Sequence, residues 1–217
     1  MEKRKSYDLS KGEKFNLSKF ESLKIARIEM GWKVNQTPGG PIFDLDVSAF
    51  MIGNDFKIVD DSCFVFYKSK YYEIAPDGKK RPYSLDRSLY GAVDNKGDKN
   101  EENTSGEATE DMLFYLSKTN NDVQQIIIVV TICKYPNDAK RDPRTLSLNF
   151  GMVQNCFIRI LNEETGVEIM HFNLAQTFGN EDAVEFGRLY RIGADWEFEA
   201  LGRGSIGSLP ALVDQYT

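Results

Sequence analysis

Residues 41–50 read PIFDLDVSAF, a stretch in which two carboxylates sit one residue apart among apolar neighbours. On a strand, Asp44 and Asp46 project to the same face, because side chains alternate with a period of two. Same-face neighbours lie roughly 6–7 Å apart. Two bare carboxylates at that spacing repel by about 3 kcal/mol at an effective dielectric of about 20. A hard cation between them would offset this. Calcium takes roughly six to eight oxygen ligands at about 2.3–2.6 Å, so two oxygens on one ion can be roughly 5 Å apart. Two strand carboxylates leaning together reach that spacing, but they cannot complete the shell.

The remaining oxygens have to come from a loop. Residues 94–111, DNKGDKNEENTSGEATED, form a polar stretch in which Asp94, Asp98, Glu101, Glu102, Glu107, Glu110 and Asp111 face only Lys96 and Lys99. Carboxylates, side-chain carbonyls and backbone oxygens are the hard ligands calcium prefers. Gly97 and Gly106 let the backbone bend around an ion. The loop does not follow the EF-hand spacing. Read plainly, it is a solvated loop, and Asp44 and Asp46 lie on an exposed strand face. In that reading Phe43, Leu45, Val47 and Ala49 form the core side, and burial of the other side is needed only near Phe50.

Other chemistry is sparse. The single histidine, His171, sits in VEIMHFNL with no second histidine for a zinc site, and reads as structural. Gly202–Gly207 (GRGSIG) lacks the lysine and the strand–loop–helix setting of a phosphate loop. Trp32 and Trp196 read as core residues. A different reading of the aspartate pair is a phosphoester hydrolase holding magnesium or manganese, though no convincing general base accompanies it.

Composition bounds these readings. The chain has 217 residues, 41% hydrophobic and 12% aromatic, enough for a sizeable core. A net charge of −6 argues against a general nucleic-acid binder. Cys63, Cys133 and Cys156 lie in apolar contexts and are expected as buried, reduced thiols, which suits a cytoplasmic protein. No apolar run is long enough for a transmembrane helix, and the basic start MEKRKS has no apolar segment behind it.

Strand signals recur along the chain. They cover 23–28, 43–52 with a turn at Gly53-Asn54-Asp55, 63–67, 125–133, 153–161 and 167–174 with NEETG between them. A further hairpin, 190–201, turns at Gly193-Ala194-Asp195. Residues 125–133 (QIIIVVTIC) are β-branched enough to be buried on both faces. Short helices are expected at 180–190, behind an Asn cap, and at 209–216. The pattern predicts a mostly β, antiparallel β-sandwich with one or two short helices near the C-terminus. It is read as a single domain over 1–217, with a basic extension (1–7) and a surface loop insertion at about 72–90.

The ordered stretches LSKGEKFNLSK, MGWKV, FDLDVSAF, IIIVVTI, NFGMVQNCFIRILN, EFGRLYR and WEFEALGRG together resemble the tellurium-resistance TerD-domain family of bacterial stress proteins. That resemblance implies a calcium-binding β-sandwich acting by binding or assembly, with calcium as its cofactor. It places ligands at Asp44 and Asp46 on the strand and at Asp98, Asn103, Gly106, Glu107, Glu110 and Asp111 in the loop. It further implies partner proteins in a stress-response complex and peripheral membrane association through that complex, with no nucleic acid. The chain departs from the family pattern by the extra residues KNEE after Asp98 and by Met112 at an acidic position.

Overall fold

Alternating apolar side chains build two facing sheets, and the short or irregular segments cover their outer sides. The computed structural model describes residues 6–20, 23–33, 40–94, 107–134, 142–174 and 178–217, with Glu107 and Ala108 described in their backbone alone. The first strands are β1 (Tyr7–Leu9), β2 (Lys14–Asn16), β3 (Ile25–Lys33), β4 (Leu45–Ile52) and β5 (Phe64–Val65). Then come β6 (Tyr72–Ile74), β7 (Lys80–Pro82), β8 (Leu89–Tyr90), β9 (Glu107–Tyr115) and β10 (Gln125–Ile132). The chain ends with β11 (Phe157–Asn162), β12 (Glu168–Asn173), β13 (Ala183–Ile192), β14 (Asp195–Ser205) and helix α1 (Ser208–Tyr216).

One sheet has the order β1-β12-β11-β3-β9-β8, the other β2-β14-β13-β10-β4-β5. Pairing within them is antiparallel, apart from the parallel pair β1–β12. This is the expected sandwich. Its core lies between the sheets, with Ile28, Met30, Trp32, Met112, Phe114 and Ile158 from one side. Leu45, Val47, Ile128, Val130, Phe186 and Phe198 come from the other. The N-terminal segment clasps both layers, since β1 edges one sheet and β2 the other.

The outer faces are covered differently. Helix α1 lies over the β4–β10–β13 side, burying Phe50, Ile52, Ile127 and Val129 against Leu212 and Tyr216. The Phe50 ring stacks on Phe64 at 4.4 Å and meets Tyr216 at 4.9 Å. This double burial is what the β-branched run of β10 predicts.

Three expectations change. Residues 180–190 are not a helix but the start of β13, paired with both β10 and β14. A bulge between Glu185 and Gly187 shifts the alternation, so the core residues fall at Val184, Phe186 and Leu189. That three-residue step imitates a helical spacing. Gly187 is required there because a Cβ would stand 2.3 Å from the Phe198 ring. The compact strand expected at 63–67 shrinks to Phe64–Val65. Finally, residues 72–90 are more than a surface loop. β6 and β7 form a hairpin turning at Pro76-Asp77-Gly78. Ala75, Tyr83 and Tyr90 pack on Leu113 and Tyr115, on the outer side of the β9 sheet.

Phe50→Ala would empty the space between β4 and α1. It is expected to lower unfolding stability by about 3–5 kcal/mol, read from urea denaturation. A loss below about 1 kcal/mol would show that α1 repacks over the gap.

Candidate metal centre

Strand β4 places the two aspartates. Leu45, Val47, Ala49 and Met51 point into the core, so Asp44, Asp46 and Ser48 share the outer face with Phe50. On the neighbouring strand, β10, Thr131 lies opposite Asp46 and Val129 opposite Ser48. The expected exposure of this face is not found. Asp44 is 2% exposed, Asp46 3% and Ser48 0%. Asp44 also anchors β10 beyond its end, its carbonyl accepting from the Cys133 N–H at 2.8 Å.

A third carboxylate joins them from the segment that follows β8. One oxygen each of Asp44, Asp46 and Asp94 lies within 4.8 Å of the other two. Asp94 is exposed, so the group opens to solvent on its side. Tyr67 stands close by: burial, then the neighbouring Cys133, Asp46, Asp94 and Asp44, push its phenol up to about 12. The approach of the segment to the site depends on Gly91, where a Cβ would meet Val65 Cγ1 at 2.7 Å and Pro82 Cγ at 2.8 Å. The Gly91 N–H donates to the Pro82 carbonyl at 2.7 Å.

The far end of the acidic loop divides its carboxylates between two faces. On β9, Met112 and Phe114 enter the core, while Leu113 and Tyr115 face outward. Glu110 therefore points inward and Asp111 outward. β5 pairs with β4 only at Ala49 and Phe50, and the Val47 N–H beyond it donates to Glu110 Oε2 at 2.9 Å. Trp32 Nε1–H donates to the Phe43 carbonyl at 3.1 Å, closing the same end. Asp111 is held elsewhere. Its Oδ2 accepts from Arg27 and from Arg81, both at 2.6 Å, and Lys79 lies 3.5 Å from its other oxygen. Glu110 and Asp111, both expected as ligands, thus lie on opposite faces of β9.

Arg81 is fully buried. It also bonds Asp77 Oδ2 through Nε and Nη2, at 3.0 and 2.8 Å. Burial by itself raises the Asp77 carboxyl. The hydrogen bonds from Arg81 and the Lys79 N–H outweigh that and hold it below the usual carboxylate range.

Of the other residues named from sequence, Asp98, Asn103 and Gly106 lie outside the described residues. Glu107 is described only as the first residue of β9. His171 sits on β12, in the other sheet from β4, its ring stacked on Phe157 at 5.0 Å and its Nε2 3.0 Å from Asn173 Oδ1. Cys63 and Cys156 are buried free thiols pushed up to about 12 by burial, whereas Cys133 is half-buried. The sequence reading missed Asp94 as a partner of the aspartate pair. It was one of seven loop acids, and its one distinguishing mark is its place just after the Gly91-Ala92 pair that dives into the fold.

A sequence profile of the TerD domain matches residues 6–216. The chain is 33% identical over 215 residues to the tellurium resistance protein TerD of Serratia marcescens, covering 97% of each chain. It is 32% identical over 209 residues to general stress protein 16U of Bacillus subtilis (strain 168), covering 96% of this chain and 95% of that one. A solved structure, of a homologue of telluride resistance protein (TerD) from Streptomyces coelicolor A3(2), superposes with a TM-score of 0.56 at 16% identity. It covers 88% of this chain and 96% of the other, a likeness of fold.

The Asp77–Arg81 pair gives the region an acid sensitivity. A carboxyl held low in the folded state contributes stability above its unfolded pKa of about 3.9, and that contribution is lost as pH falls through the lower folded value. Between about pH 5 and pH 2 the wild-type chain should therefore lose more stability than Asp77→Asn, measured as the change in denaturant midpoint. Parallel curves for the two proteins would contradict it.

Proposed function

We propose that this chain, which belongs to the TerD-domain family, is a calcium-binding module of a tellurium-resistance or stress response that works by binding and not by catalysis. The supporting observation is the trio Asp44, Asp46 and Asp94, with ligand oxygens within 4.8 Å of one another and two of the three carboxylates buried. The donor set fits the ion. All three groups offer the hard oxygens calcium prefers, and oxygens within 4.8 Å of one another fall inside the roughly 5 Å span that two ligands of one calcium can reach.

Two of these carboxylates come from a rigid strand and one from an exposed segment, so an ion shared among them ties loop to sheet. Its charge also offsets the mutual repulsion of three carboxylates at this spacing. Asp98, Asn103, Gly106 and Glu107 complete the shell in this reading, with Glu110, whose carboxylate already reaches Val47 on β4. Asp111 is assigned to the ion pairs with Arg27 and Arg81 instead. The hydrolase reading gains no base from His171, which lies on β12 of the other sheet.

Cytoplasmic action through protein partners of a stress response, with membrane contact only through such partners, accompanies this proposal. The free thiols accord with it. No helix among the described residues is long and apolar enough to cross a membrane.

After stripping with chelator, saturating calcium should stabilise the fold by about 2.7 kcal/mol at a hundredfold excess over Kd, read as a rise in melting temperature. Asp46→Asn should abolish most of that rise while leaving the chelated protein as stable as wild type or more so. An unchanged melting temperature in wild type across the titration would refute calcium binding.

A further inference from the structure

We propose that Arg81 is the positioning residue of the cation site: it clamps together the two stems of the acidic loop and so holds Asp94 against Asp44 and Asp46. This rests on the calcium reading above. Residues 91–94 form one stem and β9 the other. A single guanidinium nitrogen, Arg81 Nη1, donates to a carbonyl on each stem, Gly91 O at 3.0 Å and Asp111 O at 2.7 Å. The other nitrogens grip Asp77 and the Asp111 carboxylate. Arg81 is 0% exposed, and a charge so placed stays only because every donor has a partner.

The geometry gives the clamp its consequence. Asp94 follows Gly91 closely, with Ala92 buried and Val93 exposed between them, so fixing the Gly91 carbonyl restricts where Asp94 emerges. Pinning both stems also lowers the cost of bringing Asp94 to an ion, which is the source of affinity in a pre-organised site. The function needs arginine, since its planar fork reaches two carbonyls and two carboxylates at once, whereas a lysine ammonium is a single point.

The hairpin that carries Arg81 has its own attachments. Tyr83 and Tyr90 pack on Leu113 and Tyr115, and the Tyr115 N–H donates to the Ser88 carbonyl at 2.7 Å. Changing Arg81 therefore loosens the stems without detaching the hairpin. That separates a positioning role from a merely structural one.

The test uses the full chain as wild type, Arg81→Lys and Arg81→Met. Calcium affinity is measured by titration calorimetry, and amide exchange at 91–94 and along β10 is measured in chelator. Arg81→Lys should stay folded, with β10 amides protected as in wild type. Its calcium affinity should fall roughly tenfold or more and exchange at 91–94 should quicken. A folded Arg81→Met with wild-type affinity and wild-type exchange at 91–94 overturns the proposal. If wild type takes up no calcium, the calcium reading fails and the clamp is judged by exchange alone: faster exchange at 91–94 upholds it, unchanged exchange overturns it. Should both Arg81 variants fail to fold, Asp77→Ala, which removes a partner of Arg81 but touches neither stem, decides on the same readouts.

Discussion

Strand β4 is buried on both faces, and the rest of the candidate centre depends on that constraint. Its inner side chains, Leu45, Val47, Ala49 and Met51, are locked into the core between the sheets. Its outer face is fastened at one end by Phe50 and Ile52 under helix α1. A slip of one residue would exchange these sets and drive Asp44 and Asp46 into the core, so register is specified from both sides. The two carboxylates are therefore fixed by apolar packing at the other end of the same strand. Groups that repel one another can be kept close only by a scaffold whose stability comes from elsewhere.

The two sheets use their outer faces unequally. Helix α1 seals one with aromatic and aliphatic contacts. Over the other, the 72–90 hairpin combines a small apolar cluster with a line of alternating charges. The line runs Glu163–Arg27–Asp111–Arg81–Asp77. Adjacent residues of β9 consequently have separate tasks. Glu110, turned inward, caps the open edge of β4, and Asp111, turned outward, anchors the hairpin. Strand geometry permits no sharing, because neighbouring side chains leave the backbone on opposite sides.

Local periodicity made much of this legible from sequence. The hairpins at NEETG and Gly193-Ala194, the doubly buried β10, the terminal helix and the shared face of Asp44 and Asp46 all follow from spacings within a few residues. What was hidden depends on distant contacts. The bulge at Glu185–Gly187 breaks the period of two and made β13 look helical. Arg81, between Lys79, Lys80 and Pro82, has the neighbourhood of a surface turn, and only the carboxylates of Asp77 and Asp111 make its burial tolerable. Asp44 and Asp46 read as exposed because nothing near them in sequence announces the chain that covers them. Asp94 could not be distinguished from its acidic neighbours without the close approach that Gly91 allows.

The centre is thus built in two halves with different mechanical character. The strand half is rigid, belongs to the core, and sets which oxygens face one another. Among the described residues, the loop half contributes the exposed carboxylate of Asp94, on a stem held by Gly91 and Arg81. In such an arrangement the strand determines what kind of ion can be held, through oxygen type and spacing. The stem determines where Asp94 stands relative to the strand carboxylates. Changes at the stems act on the site itself.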